Sequence, residues 1–181
     1  IAEVLPQLWR KDRGEAQRRL EELRRLTRGA LAEMRMLLLE LRPGALGEVG
    51  LVELLRQLVE ATTAQTKMRL TLGVRGNCGV PAEVQVALYR VAQEALNNIT
   101  RHAGVRQAVV RLRLESQHAS LEVEDEGCGF DPGGAVHQGA AQHGGFGLNG
   151  MAERAAEIGW RLAVHSNPEQ GTCIRAEEKA E

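Results

Sequence analysis

From Glu15 to Arg42 the chain runs without proline or a β-branched cluster, and Leu20, Leu23, Thr27, Ala30, Met34, Leu37 and Leu41 recur at alternating intervals of three and four. That spacing predicts one long helix with an apolar seam for other helices, in a bundle or a dimer. The same stripe also suits an amphipathic helix lying on its own domain. A polar break at Lys11-Asp12-Arg13-Gly14 precedes it, and residues 1–9 read as the end of an antiparallel partner helix. Pro43-Gly44 predicts the stop, since proline cannot continue the helical ladder. A second amphipathic helix follows from Leu51 to about Gln65, and Met68 to Val74 alternates as a strand. Pro81, placed in a first turn where its missing N–H costs nothing, opens a long helix through His102. Strands over Ala108–Leu114 and Ala119–Glu124 form a hairpin, then a helix spans about Leu148 to Ile158. Strands near Trp160–His165 and Thr172–Glu177 end the chain, with a turn around Asn167-Pro168. Without regular strand–helix–strand alternation, the expected fold class is α+β, a helical layer on a mostly antiparallel sheet.

Composition narrows the function. The 181 residues are 43% hydrophobic and 26% charged, enough for a packed core. A net charge of -1 argues against a general nucleic-acid coat, and 3% aromatics leave little for base stacking. The near-neutral total hides a division: residues 1–42 hold ten Lys/Arg against seven Asp/Glu, and 43–181 hold thirteen against seventeen. Cys78, Cys128 and Cys173 show no CxxC spacing, which fits a reducing, cytoplasmic compartment rather than a disulfide framework or closed zinc site. Trp9 and Trp160 are expected to pack.

Three polar groupings stand out. Glu94 and Asn98 lie four apart on one helix face, with Arg101 and His102 beyond them. A carboxylate and an amide oxygen so placed suit a hard cation such as Mg²⁺, with Arg101 facing the phosphates that accompany it. The pair reads equally as a solvated i,i+4 contact. Asp125, at a strand end before Gly127 and Gly129, can accept a hydrogen bond from an exocyclic amine while the glycines admit a planar ligand; it also reads as an ordinary turn. Gly144-Gly145-Phe146-Gly147-Leu148 leads into a helix, where free N–H groups can meet phosphate, or else forms a surface loop. It lacks the Walker A ending, and no strand immediately precedes it as a Rossmann fingerprint requires. Residues 131–144, rich in Gly, Ala, Gln and His, predict a mobile lid.

In their order these motifs resemble the GHKL ATPase family of gyrase-type ATPases, heat-shock-ninety chaperones, sensor histidine kinases and mismatch-repair ATPases. Glu94-Ala95-Leu96-Asn97-Asn98-Ile99-Thr100-Arg101-His102-Ala103 is similar to the N box of histidine kinases. Gly147-Leu148-Asn149-Gly150-Met151 resembles the second glycine box of the nitrate-sensor and thermosensor subgroup, and Leu38-Leu39-Glu40-Leu41-Arg42-Pro43 the end of its dimerisation helix. The resemblance implies a two-layer α/β sandwich of the Bergerat type over 43–181, preceded by a partial dimerisation hairpin over 1–42. It implies ATP and Mg²⁺ as ligands. Asn98 would hold the metal; Glu94 would either activate a nucleophile or orient the metal shell. Asp125 would take the adenine amine, Gly127 and Gly129 would admit the base, and Thr172 would support the pocket. Arg101 and His102 would lie near the phosphates, and Gly145, Gly147 and Leu148 would form the lid hinge.

The activity implied is transfer of phosphate from ATP to a histidine, then to an aspartate of a response regulator of the DNA-binding, LuxR-like output type. Homodimerisation would run through the helical arm, and any membrane attachment through segments outside this region. None of the five histidines is followed by an acidic residue, as the subgroup's acceptor is, so the acceptor is expected upstream of Ile1 and self-phosphorylation is not expected. Another GHKL ATPase, an anti-sigma-type serine kinase, or a non-catalytic nucleotide-binding module are the alternatives.

Overall fold

Strand alternation decides the architecture. In the computed structural model, which describes residues 9, 12–41, 50–66, 68–115, 118–131 and 145–179, the strands are β1 Arg69–Gly76, β2 Gln107–Glu115, β3 His118–Asp125, β4 Trp160–Ser166 and β5 Thr172–Glu178. They form one sheet in the order β1-β2-β3-β5-β4. β1 and β2 run parallel, while the other neighbours are antiparallel. The register aligns Leu72, Val110, Val123, Ile174 and Val164 in one row, and Leu112, Leu121, Ala176 and Leu162 in the next. These rows join the hydrophobic core.

Three helices cover that face: α2 Leu51–Thr66, α3 Ala82–Asn98 and α4 Gly145–Glu157. Their leucines, valines and alanines, with Tyr89 and Met151, interlock with the strand rows and remove a large apolar area from water. The expected two-layer α+β fold is therefore the one observed. On the sheet's other face, Arg111 bridges Glu122 at 2.7 Å and also Glu124, while Glu177 pairs with Arg161 and, at 2.9 Å, with Arg175. Such solvated pairs add at most about 1 kcal/mol each; their main effect is to keep this face wet.

The long helix α1, Arg13–Leu41, packs against α2 and α3. Asp12 starts it, its carboxylate accepting the Glu15 N–H at 3.0 Å, so the predicted polar break is an N-cap. Leu20, Leu26, Leu31 and Met34 stay exposed, Met34 at 62%. Trp160 is buried as expected. Trp9, by contrast, is 49% exposed, against the expectation that it packs. No described helix is long and apolar enough to cross a membrane.

Three boundaries differ from the sequence pattern. Pro81 is the N-cap of α3, with an extended ψ of 153°, and not a first-turn residue. The helix leaves α geometry at Asn98 and continues as a π-helical turn, Ile99–Ala103, ended by left-handed Gly104 with φ of 69°. Helix α4 starts at Gly145, three residues before the predicted Leu148, taking in two glycines that propensity counts against. The segments 1–8 and 42–49, the hairpin tip at 116–117 and most of the expected lid, 132–144, lie outside the described residues, as do the side chains of Leu37 and Leu41.

Leu88 of α3 is fully buried. Leu88→Ala is expected to destabilise the domain by about 2 to 5 kcal/mol through lost burial and a residual cavity. Val74→Ala, at the exposed end of β1, is expected to change stability by less than about 0.5 kcal/mol. Urea unfolding monitored by circular dichroism measures both, and a tolerant Leu88 would contradict the packing described.

Candidate functional site

The helix-facing rows of the sheet change character at one end. There the register aligns Leu70, Ala108, Asp125, Thr172 and Ser166, so three polar side chains from three adjacent strands replace the apolar ones. Asp125 is only 6% exposed. Its Oδ1 accepts the Gly127 N–H at 2.8 Å. Burial pushes its pKa up, against the opposing pull of backbone N–H groups at Gly127 and Thr172; the nearby Glu124 charge adds to the rise.

Close backbone approaches explain the glycines. A Cβ on Gly127 would lie 2.4 Å from the Ala103 carbonyl and 2.7 Å from Asp125 Oδ1. Gly129 has φ of 55°, and a Cβ there would sit 1.9 Å from the Asn167 carbonyl. Gly171, with φ of 81°, comes equally close to the Asp125 carbonyl. The loop after β3 is thus clasped between the end of α3 and the β4–β5 turn. Cys128 supplies the clasp on the helix side: its N–H donates to Ala103 O at 3.0 Å and its thiol to His102 O at 3.0 Å. These bonds satisfy carbonyls that the helix end would otherwise leave unpaired.

Glu94 and Asn98 occupy successive turns of α3, both half-buried. Gly147, in the first turn of α4, is packed against both: a Cβ there would fall 2.3 Å from Glu94 Oε1 and 3.5 Å from Asn98 Nδ2. Gly145, Gly147 and Leu148 lie in the first turn of α4, with Leu148 half-buried against the core. The structure therefore gathers the sequence-derived candidates into two groups. One is Glu94, Asn98 and Gly147; the other is Asp125, Gly127, Gly129 and Thr172. The π-helical turn Ile99–Ala103 runs from the first group to the second, meeting Gly127 at Ala103. Arg101 and His102 project from that turn as exposed side chains and join neither group.

The sequence reading missed Ser166, Gly171 and the role of Cys128. Ser166 carried a usable signal, because it closes the alternation Trp160, Leu162, Val164 with a polar residue on the inward face. Gly171 carried the signal of a glycine directly before Thr172, whereas Cys128 had none, since its partners lie far away in the chain.

A family model described as histidine kinase-, DNA gyrase B- and HSP90-like ATPase matches residues 83–180, from the start of α3 through β5. The chain belongs to this family. Every candidate residue from Glu94 to Thr172 lies within the matched region of the ATPase domain, and membership implies that the domain binds ATP. A second model, described as histidine kinase, matches residues 1–46. Sensor histidine kinase MctS of Rhizobium johnstonii is 37% identical over 149 residues, covering 82% of this chain and 32% of that protein. The histidine-protein kinase/phosphatase DegS of Brevibacillus brevis is 31% identical over 161 residues, covering 88% of this chain and 40% of its own. The chain thus spans between about a third and two fifths of the length of these relatives. Among solved structures, the histidine kinase domain of the Erythrobacter litoralis EL346 blue-light activated histidine kinase aligns with a TM-score of 0.61 at 20% identity, over 85% of this chain and 74% of that one. At that identity the likeness concerns the fold.

Because burial raises the Asp125 pKa, the native state holds this proton more tightly than the unfolded chain. Its contribution to stability is therefore lost as pH rises from the ordinary carboxyl range through the raised native value. Asp125→Asn keeps the Gly127 contact without the buried charge. Its thermal midpoint is expected above that of the unsubstituted protein at pH 7, with the gap closing in acid. A gap independent of pH would contradict the buried-charge account.

Proposed function

We propose that this chain is the ATP-binding catalytic region of a two-component sensor histidine kinase, joined to part of its dimerisation arm. In this reading the adenine base lies against the polar end row, Asp125 accepts its exocyclic amine, and Gly127 and Gly129 let the base approach the backbone. The observation that carries the reading is the juxtaposition of the buried Asp125–Gly127 contact with Gly147 packed on Glu94 and Asn98. In this reading that arrangement would serve as a base-recognition end and a phosphate end within one helix–sheet frame. The arm supports the kinase member of the family over its other branches, since a histidine kinase model matches residues 1–46 of the same chain.

The donor set fits Mg²⁺. Asn98 offers an amide oxygen and Glu94 a carboxylate, both hard donors. Among the described residues there is no group of three or more His, Cys, Asp or Glu able to hold a metal, so phosphate oxygens and water would complete the shell. When bound, the cation would neutralise charge on the phosphates during phosphoryl transfer. The protein's own part is positioning. Glu94 and Asn98 set the phosphate end, the first turn of α4 directs N–H groups toward anionic oxygens, and Arg101 and His102 stand exposed beside the site to attract them. The acceptor would be a histidine on the dimerisation helices, with onward transfer to an aspartate of a response regulator, by resemblance of the LuxR-like output type. The exposed Leu20, Leu26, Leu31 and Met34 of α1 support a homodimer through the arm.

Mg-ADP titration by calorimetry tests the nucleotide assignment. Asp125→Ala is expected to weaken binding at least about tenfold, and unchanged affinity would remove Asp125 from the adenine site. Gly147→Ala should fold normally, since alanine favours helix by about 0.5 to 1 kcal/mol. It displaces the Glu94 carboxylate, so transfer of labelled phosphate from Mg-ATP to a supplied dimerisation-helix acceptor should fall by about tenfold or more. Full transfer activity in that variant would refute the Gly147–Glu94 contact as functional.

A further inference from the structure

The polar end row contains a side chain for which the adenine reading has no use. Ser166 is 6% exposed, and its hydroxyl ties three segments together. It accepts the Phe130 N–H at 2.9 Å, donates to the Gly171 carbonyl at 3.1 Å, and lies 2.9 Å from the Thr172 hydroxyl. A hydroxyl has one proton and two lone pairs. With the proton on Gly171 and one lone pair taken by Phe130, Ser166 has only an acceptor site left for Thr172. Thr172 must then be the donor in their contact. Its own proton is turned toward β4, away from the neighbouring Asp125, and its oxygen remains available only as an acceptor.

We infer that Ser166 is a positioning residue that fixes the polarity of the Thr172 hydroxyl, so that the end row offers acceptors alone and selects a purine with an exocyclic amine over one with a carbonyl there. Asp125 and Thr172 stand in register on adjacent strands, and a donor between them would accommodate the carbonyl. The inference rests on the adenine reading above, and it adds the residue that enforces the preference.

The test compares Mg-ADP with Mg-IDP, whose base carries a carbonyl in place of the amine. The unsubstituted protein is expected to favour ADP. In Ser166→Ala the Thr172 proton is released to face the base, and the ADP-to-IDP affinity ratio should shrink by about five- to tenfold. Ser166→Thr should restore it. Thr172→Val should shrink the ratio similarly, and the double substitution should do no more, since both act through one contact. A purely structural Ser166 would weaken both nucleotides alike and leave the ratio unmoved, which would overturn the inference. So would multiplicative effects in the double variant. Should Ser166→Ala fail to fold, an unchanged ratio in Thr172→Val overturns it equally. Asp125→Ala separates the two readings. If that variant binds ADP normally, or the unsubstituted protein binds neither nucleotide, the adenine reading falls and takes this one with it. If Asp125→Ala loses ADP while the Ser166 ratio stands unchanged, this inference alone falls.

Discussion

A carboxylate held almost out of water at the end of an apolar row is the constraint around which this domain is arranged. Burying a charged group is unfavourable unless hydrogen bonds compensate, and Asp125 receives them from backbone N–H groups at Gly127 and Thr172. Those groups come from two different segments. The loop after β3 must fold back on its own strand, and β5 must lie beside β3 in the register that faces Thr172 to Asp125. Keeping one carboxylate partly desolvated thus fixes a loop, a strand pairing and the end of a hairpin.

The same economy of contact governs the glycines. Gly127, Gly129, Gly147 and Gly171 are each pressed so close to a neighbour that a methyl group would collide with it. At Gly127, Gly129 and Gly171 the neighbour is backbone, which has little room to move. At Gly147 it is the Glu94 side chain, which can swing. Substitutions in the first set therefore act on the fold, whereas one at Gly147 acts on the position of a charged group. This difference separates the residues that build the site from those that tune it.

Between the two ends of the site lies the π-helical turn at Ile99–Ala103. A π turn widens the helix locally and leaves carbonyls poorly paired within it. Here those of His102 and Ala103 are taken up by Cys128, in the loop that also contains Gly127 and Gly129. The loop after β3 is therefore anchored to the helix that carries Glu94 and Asn98. A run of five residues, Ile99–Ala103, thus joins the Glu94–Asn98 group to the Asp125–Gly127 group.

The sequence by itself determined the elements and the family. Alternation set the strands, three-and-four spacing set the helices, and the order of Glu94, Asn98, Asp125, Gly147 and Thr172 carried the family resemblance, because these are local patterns that a chain displays before it folds. Boundaries governed by tertiary contact were not legible. The glycines at the start of α4 read as loop because propensity disfavours them in a helix and the packing of Gly147 against Glu94 is not local, and the turn after Asn98 read as plain helix because its carbonyl partners sit at Cys128. The alignment of Asp125, Thr172 and Ser166 was decided only by the pairing of three strands, since register joins residues that lie far apart along the chain. Ser166 shows the difference most clearly. Its sequence marks it as a polar residue closing a strand, but its bonds to Phe130, Gly171 and Thr172 exist only where β4, β5 and the loop after β3 meet.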